Sequence, residues 1–203
     1  ALMPKQKPID ELLRVMARLR EPDGCPWDRE QDHRSIRINA VEEVYELVDA
    51  IEDGDDGQIL EELGDLLLQV VFHAQMAEER EAFNFDKIAQ VITDKLIRRH
   101  PHVFAGTEVE DVEGVWSQWD AIKQKEKKGT VNERKSVFDG VPRHLPALMR
   151  AHELVKKAHK HDLLPKGRQT VSKRSLGKEL FKLAQKAQSN GWQAEELLRE
   201  EIK

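Results

Sequence analysis

Apolar residues recur along this chain at intervals of three and four, the spacing of one face of an α-helix, and no stretch alternates as a half-buried strand would. Pro8 suits a first-turn position, and Ile9, Leu12, Leu13, Met16 and Leu19 then mark a helix ending near Arg20, where Pro22, Asp23 and Gly24 break it. A loop carrying Cys25 and Trp27 leads to a second helix from about Asn39. There Asn39 and Glu42 have the spacing of a capping box, and Val41, Val44, Tyr45, Val48 and Ile51 share one side. The turn EDGDDG stops it. From about Gln58 to Met76 the apolar positions run nearly all the way round, so this third helix is expected to be covered on most sides, by another element or another subunit. A fourth opens at Asp86, places Ile88, Val91, Ile92 and Leu96 inward, and ends in Arg98, Arg99 and His100 before Pro101. Val112, Val115, Trp116, Trp119 and Ile122 mark a fifth. Beyond a charged stretch, Pro146 opens another through about Lys160, and an amphipathic pair is split at Asn190 and Gly191. The chain reads as an all-α helical bundle completed by oligomerisation.

Composition narrows the function. Of 203 residues, 35% are charged and 5% aromatic, and the formal net charge of -5 disfavours a broad nucleic-acid surface while leaving room for an anion at a local basic site. No apolar run approaches a membrane span, and the first residues lack the pattern of a secretory signal. The single cysteine, Cys25, cannot close an internal disulfide or build a thiolate zinc cluster, so a reducing, cytoplasmic setting is expected.

The chemistry is carried by carboxylates. At about 100° per residue, Glu43 and Glu46 share one edge of the second helix, beside its apolar arc, and Glu62 and Asp65 repeat the i, i+3 spacing on the third. Asp65 is the only formal charge from Leu63 to Ala77. An ionised carboxylate in apolar surroundings must shift its pKa, meet a cation or bind a metal. Acid pairs at this spacing are also common on solvated faces, so either pair alone is weak. Together, on two helices joined by a short turn, they form an oxygen-only donor set suited to Mg2+, with Mn2+ as a substitute. An EF-hand fails: with Gly57 in the glycine position, Leu63 falls where the bidentate acid belongs.

E-E-x-x-E at 42–46 followed by E-x-x-D at 62–65 resembles the metal signature of the all-α nucleoside triphosphate pyrophosphohydrolases, most closely the MazG family. GCPWDREQ at 24–31, VEEVYELVDAI at 41–51, ELGDLLLQVVFHAQMA at 62–77, DKLIRRHPHVF at 94–104, WDAIKQKEK at 119–127 and LPALMRA at 145–151 are similar in order and spacing. The resemblance implies hydrolysis of (d)NTPs between the α and β phosphates to (d)NMP and pyrophosphate, in the house-cleaning of nucleotide pools. It implies Glu43, Glu46, Glu62 and Asp65 as metal ligands, Lys95, Arg98, Arg99 and Lys123 on the triphosphate, and Trp119 on the nucleotide. Water activated by the ions would be the nucleophile, with no protein nucleophile. The residues themselves leave alternatives open. Lys95 and Arg99 could equally compensate a helix dipole, and Trp119 lies in an apolar stripe that favours core packing. Trp27 and Cys25 could form a packing plug, and His73, on the acid side of its helix, reads as a hydrogen-bonded core residue rather than a ligand. A non-catalytic nucleotide-binding or regulatory oligomerisation module is the rival reading. A homodimer or larger homo-oligomer is expected in either case, with no nucleic-acid or membrane partner.

Three segments are expected: a catalytic module over 1–128, a charged linker over 129–140, and a degenerate, truncated second half over 141–203. The last rests on an echo. Residues 61–75 and 174–188 share five of 15 positions, which sets Ser175 opposite Glu62 and Lys178 opposite Asp65, so the second copy lacks the acids.

Overall fold

The computed structural model describes residues 7–109, 111–130, 133, 136–165, 167 and 170–203. Every regular element among them is a helix, in agreement with the all-α reading. The chain divides into two compact units, Ala1–Val112 and Glu113–Lys203. The expected module over 1–128 therefore takes in the first unit and the first helix of the second. Linker residues 131, 132, 134 and 135 lie outside the described residues, as do residues 166, 168 and 169 of the later interruption.

In the first unit the order is α1 (Pro8–Arg20), α2 (Pro26–Glu30), α3 (Asn39–Asp53), α4 (Asp56–Glu78), α5 (Phe85–Arg99) and α6 (Pro101–Phe104). The long helix α4 is the axis: α3, α1 and α5 each pack on it. Its N-terminus is held by the Asp55 carboxylate, which accepts from the backbone N–H groups of Gly57 and Gln58. The Asn39–Glu42 capping box does not form. Asn39 is already helical, and the cap position is Ile38, whose backbone is itself helical and whose side chain offers no acceptor. The fourth helix starts at Phe85, one residue ahead of Asp86, because Asn84 caps it through Lys87 N–H. The α3–α4 turn uses Gly54 at φ 71°, a left-handed conformation that glycine adopts without a Cβ penalty.

The core gathers Met16, Ile36, Val71, Phe72 and Met76, with Ile9, Leu12, Leu13, Leu68 and Phe85 against it. Only the C-terminal half of α4 is thus covered. Its N-terminal half leaves Leu60 (75%), Leu63 and Leu67 exposed, and α3 exposes Val41, Val44, Tyr45, Val48 and Ile51. Arg20, at the end of α1, locks the 21–38 loop to this core. Its guanidinium makes two bonds to Glu79, at 2.7 and 2.8 Å, donates to the carbonyls of Asp28 and Gln31, and lies 5.5 Å from the Phe72 ring centre. Gly24 makes the loop's entry possible, because a Cβ there would fall 2.3 Å from the Leu19 carbonyl oxygen.

The second unit contains α7 (Val112–Lys127), α8 (Ala147–Lys160), α9 (Lys173–Ser189) and α10 (Ala194–Glu201). Pro146 takes the cap position of α8 and has no side-chain acceptor; Glu195 of α10 supplies one instead, accepting from Ala147 N–H at 2.8 and 2.9 Å. Arg199 donates to the carbonyls of Arg143 and Leu145, and Lys160 pairs with Asp120 of α7. The α9–α10 turn repeats the α4–α5 turn. Trp192 N–H bonds Ala187 O with Gly191 at φ 72°, just as Ala82 N–H bonds Ala77 O with Glu81 at φ 55°, each at 3.0 Å. Matching the turns pairs Ala187 with Ala77, three residues from the register of the sequence echo.

Candidate functional site

Helices α3 and α4 run beside one another after the tight turn at Gly54, so the acid edge of each meets the other. Carboxylate oxygens of Glu43, Glu62 and Asp65 all lie within 4.8 Å of one another, and all three residues are half-buried. Glu46, the fourth acid, is exposed and outside this triad, although its charge acts on both Glu43 and Glu62. Burial raises the Glu43 carboxyl above the usual carboxylate range, and the charges of Asp65 and Glu46 raise it further. Glu62 is also raised, first by desolvation and then by Glu46 and Asp65. Like charges drawn together at a partly dry surface hold protons too tightly, and a cation in their midst removes that strain. The donors are all hard oxygens from half-buried side chains, with no thiol or imidazole in the group, so the residues fit a divalent cation of the Mg2+ or Mn2+ type.

One residue of this site escaped the sequence reading. Gln69 is 8% exposed, and its Nε2 donates to Glu43 Oε1 at 3.3 Å. It lies four residues after Asp65 and seven after Glu62, on the same edge of α4, so the helical phase that linked the acids also marked Gln69.

The predicted cations are distributed over both units. Lys95, Arg98 and Arg99 occupy the last turns of α5, with Lys95 and Arg99 half-buried and Arg98 exposed. Trp119 and Lys123 belong to α7 of the second unit, where the Lys123 ammonium sits 5.5 Å from the Trp119 ring centre and both side chains are half-buried. Trp27 is 56% exposed and touches Phe72 with ring centres 6.4 Å apart, so it covers the core edge rather than plugging it. His73 is half-buried and hydrogen-bonded, as expected of a lone histidine, and its partner is His33. A cleft of about 1150 Å³ lies within the second unit among Arg143, Arg150, Leu154, Leu163 and Arg199. Among the described residues it carries no carboxylate cluster, and Arg150 and Arg199 donate there to backbone carbonyls.

Among the described residues every regular element is a helix, and two neighbouring helices pool acids around one point. The profile described as MazG nucleotide pyrophosphohydrolase domain matches residues 31–104. The chain is similar to a nucleoside triphosphate pyrophosphohydrolase of Escherichia coli K12, 49% identical over 150 residues, covering 73% of this chain and 56% of the relative. It is similar to a nucleoside triphosphate pyrophosphohydrolase/pyrophosphatase MazG of Thermotoga maritima, 49% identical over 120 residues, covering 59% and 45%. An uncharacterized protein of Streptomyces cacaoi is 39% identical over 191 residues, covering 93% of this chain and 76% of that protein. The chain belongs to the MazG family. It spans about half the length of the first two of these relatives.

Proposed function

We propose that this protein is a Mg2+-dependent nucleoside triphosphate pyrophosphohydrolase that cleaves between the α and β phosphates, so that an NTP and water become an NMP and pyrophosphate. The observation that carries this reading is the convergence of Glu43, Glu62 and Asp65 within 4.8 Å across two helices. The names of the E. coli and T. maritima relatives support it. Glu43, Glu62 and Asp65 would hold the cation, with Glu46 joining them from the edge of α3. When bound, the cation supplies Lewis acidity and countercharge to the polyphosphate.

The chain's own residues do the rest. Four carboxylates and a triphosphate of about -4 repel at close range unless cations intervene. Lys95 and Arg99, one turn apart on α5, bring two like charges to one edge of the helix, a placement that suits a polyanion. Arg98 adds to this charge, and Lys123 and Trp119 keep the triphosphate and nucleotide roles that the family implies. Residues 141–203 act as a degenerate half. In the sequence register Ser175 and Lys178 stand where the acids would be, and in the turn register Ser172 and Ser175 do, so neither register restores a metal site. The exposed apolar face of α3 and the N-terminal half of α4 support assembly as a homodimer or larger oligomer.

The test is incubation of the protein with mixed NTPs and Mg2+ and separation of the products. NMP with pyrophosphate is expected, and Asp65→Asn should remove most turnover without unfolding the protein. NDP with phosphate would overturn the cleavage position. Nucleotide binding without turnover would favour the regulatory reading.

A further inference from the structure

We infer that Gln69 is a positioning residue of the carboxylate cluster, its side-chain amide fixing Glu43 in the orientation from which it reaches the cation. The inference rests on the proposed metal site and adds to it a residue that is not a ligand.

Two observations carry it. The first is the bond across α3 and α4: Gln69 Nε2 donates to Glu43 Oε1 at 3.3 Å. The orientation of the amide follows from chemistry, because reversing it would set the Gln69 carbonyl oxygen against a carboxylate oxygen. The second is that Gln69 Oε1 is buried and has no hydrogen-bond partner among the described residues. Among the described residues Gln69 is the one polar residue with a buried side chain, in a helix half otherwise buried through Val71, Phe72, Ala74, Met76 and Ala77. An apolar residue of the same length would avoid an orphaned buried acceptor, so packing alone does not account for an amide here. A role at the cluster accounts for both of its ends. The N–H holds a carboxylate that its acidic neighbours push away, and the free oxygen is an acceptor at the rim of a site for a hydrated cation, since Mg2+ keeps several of its waters. Outer partners of this kind orient metal-binding carboxylates and typically change affinity by roughly 10-fold to 100-fold when removed.

The experiment measures Mn2+ binding by electron paramagnetic resonance on the full chain without nucleotide, for the native protein, Gln69→Met, Gln69→Glu and Asp65→Asn. Gln69→Met keeps side-chain length and removes both polar atoms. Its Mn2+ affinity should fall about 10-fold or more, its metal-free melting temperature should hold or rise, and its NTP turnover at limiting Mg2+ should recover as Mg2+ is raised. A purely structural amide would give a lower metal-free melting temperature and a deficit that added Mg2+ does not repair. Mn2+ affinity within twofold of native in Gln69→Met, with Asp65→Asn no longer binding, overturns the role of Gln69 and leaves the metal site standing. Native-like binding in Asp65→Asn overturns the metal site and this inference with it. Should Gln69→Met not fold, the native protein decides. The Gln69 side-chain amide resonances, assigned by their loss in Gln69→Glu, should move on Mg2+ titration, and unmoved resonances overturn the inference.

Discussion

His33 and His73 face each other through their Nδ1 atoms at 2.8 Å, with rings stacked 5.0 Å apart and 10° from parallel. On the far side of His33, Arg80 Nη2 lies 2.8 Å from Nε2. A guanidinium only donates, so His33 Nε2 accepts and His33 carries its proton on Nδ1. His73 Nδ1 is then the acceptor, which makes His73 a neutral ring protonated at Nε2. The chain of bonds runs one way, from Arg80 through His33 to His73, and ties the 21–38 loop to α4.

Acid should weaken this tie. Burial holds His73 below its ordinary value of 6.5, and the neighbouring His33 lowers it further. Below pH 6.5 the unfolded chain takes up a proton that the folded chain refuses, so stability falls from there down to the folded pKa and is full above 6.5. Melting curves from pH 7.5 to 5 should show this loss in the native protein, and His73→Gln should flatten it. An unchanged slope in that variant would refute the neutral His73 assignment.

Glu79 behaves as the opposite case. The hydrogen bonds from Arg20 hold its carboxyl below the ordinary 4.5. Its contribution is therefore present above pH 4.5 and lost as pH falls through the lower folded value. The Arg20 side chain is 9% exposed and also serves the Asp28 and Gln31 carbonyls. Arg20→Ala should cost about 2 to 3 kcal/mol by urea denaturation at pH 7, since it leaves several acceptors without their charged donor.

Gly24→Ala should be costly although the residue is near a loop. The added methyl would meet the Leu19 carbonyl oxygen at 2.3 Å and the Arg18 carbonyl oxygen at 2.6 Å, both backbone atoms that cannot turn aside. A loss of about 1 to 3 kcal/mol is expected, measured by the same denaturation. Gly64→Ala, where nothing lies within 4 Å of the new atom, should be neutral or stabilising in its helix.

The exposed apolar face of α3 gives the assembly proposal its test. Light scattering should return a dimer or larger species for the native chain, and Val48→Glu, which places a charge in the middle of that face, should shift it toward monomer while retaining helical circular dichroism. A native monomer would refute the proposed assembly.

The helices and their phases were legible because both are local properties. The 3.6-residue period that made Val41 to Ile51 one stripe also put Glu43 beside Glu46 and Glu62 beside Asp65, whatever packs against them. Helix starts were less legible, because a cap depends on which acceptor reaches the first N–H groups. Asn39 lost that part to the helical backbone at Ile38, and α8 is capped by Glu195, 48 residues further on. Periodicity counts apolar positions but cannot say which of them find a neighbour within the chain: Val71 and Phe72 do, Leu60 does not.

From the order of residues alone came an all-α chain with acids on matched edges of consecutive helices, since angular phase follows from backbone geometry within a few residues. Only the packed structure decided that Glu43, Glu62 and Asp65 converge while Glu46 stays at the rim, that Gln69 bonds Glu43, and that His33 finds His73 across 40 positions. Those pairings depend on desolvation and on which helix faces meet, quantities that belong to the folded surface and are absent from any local stretch of chain.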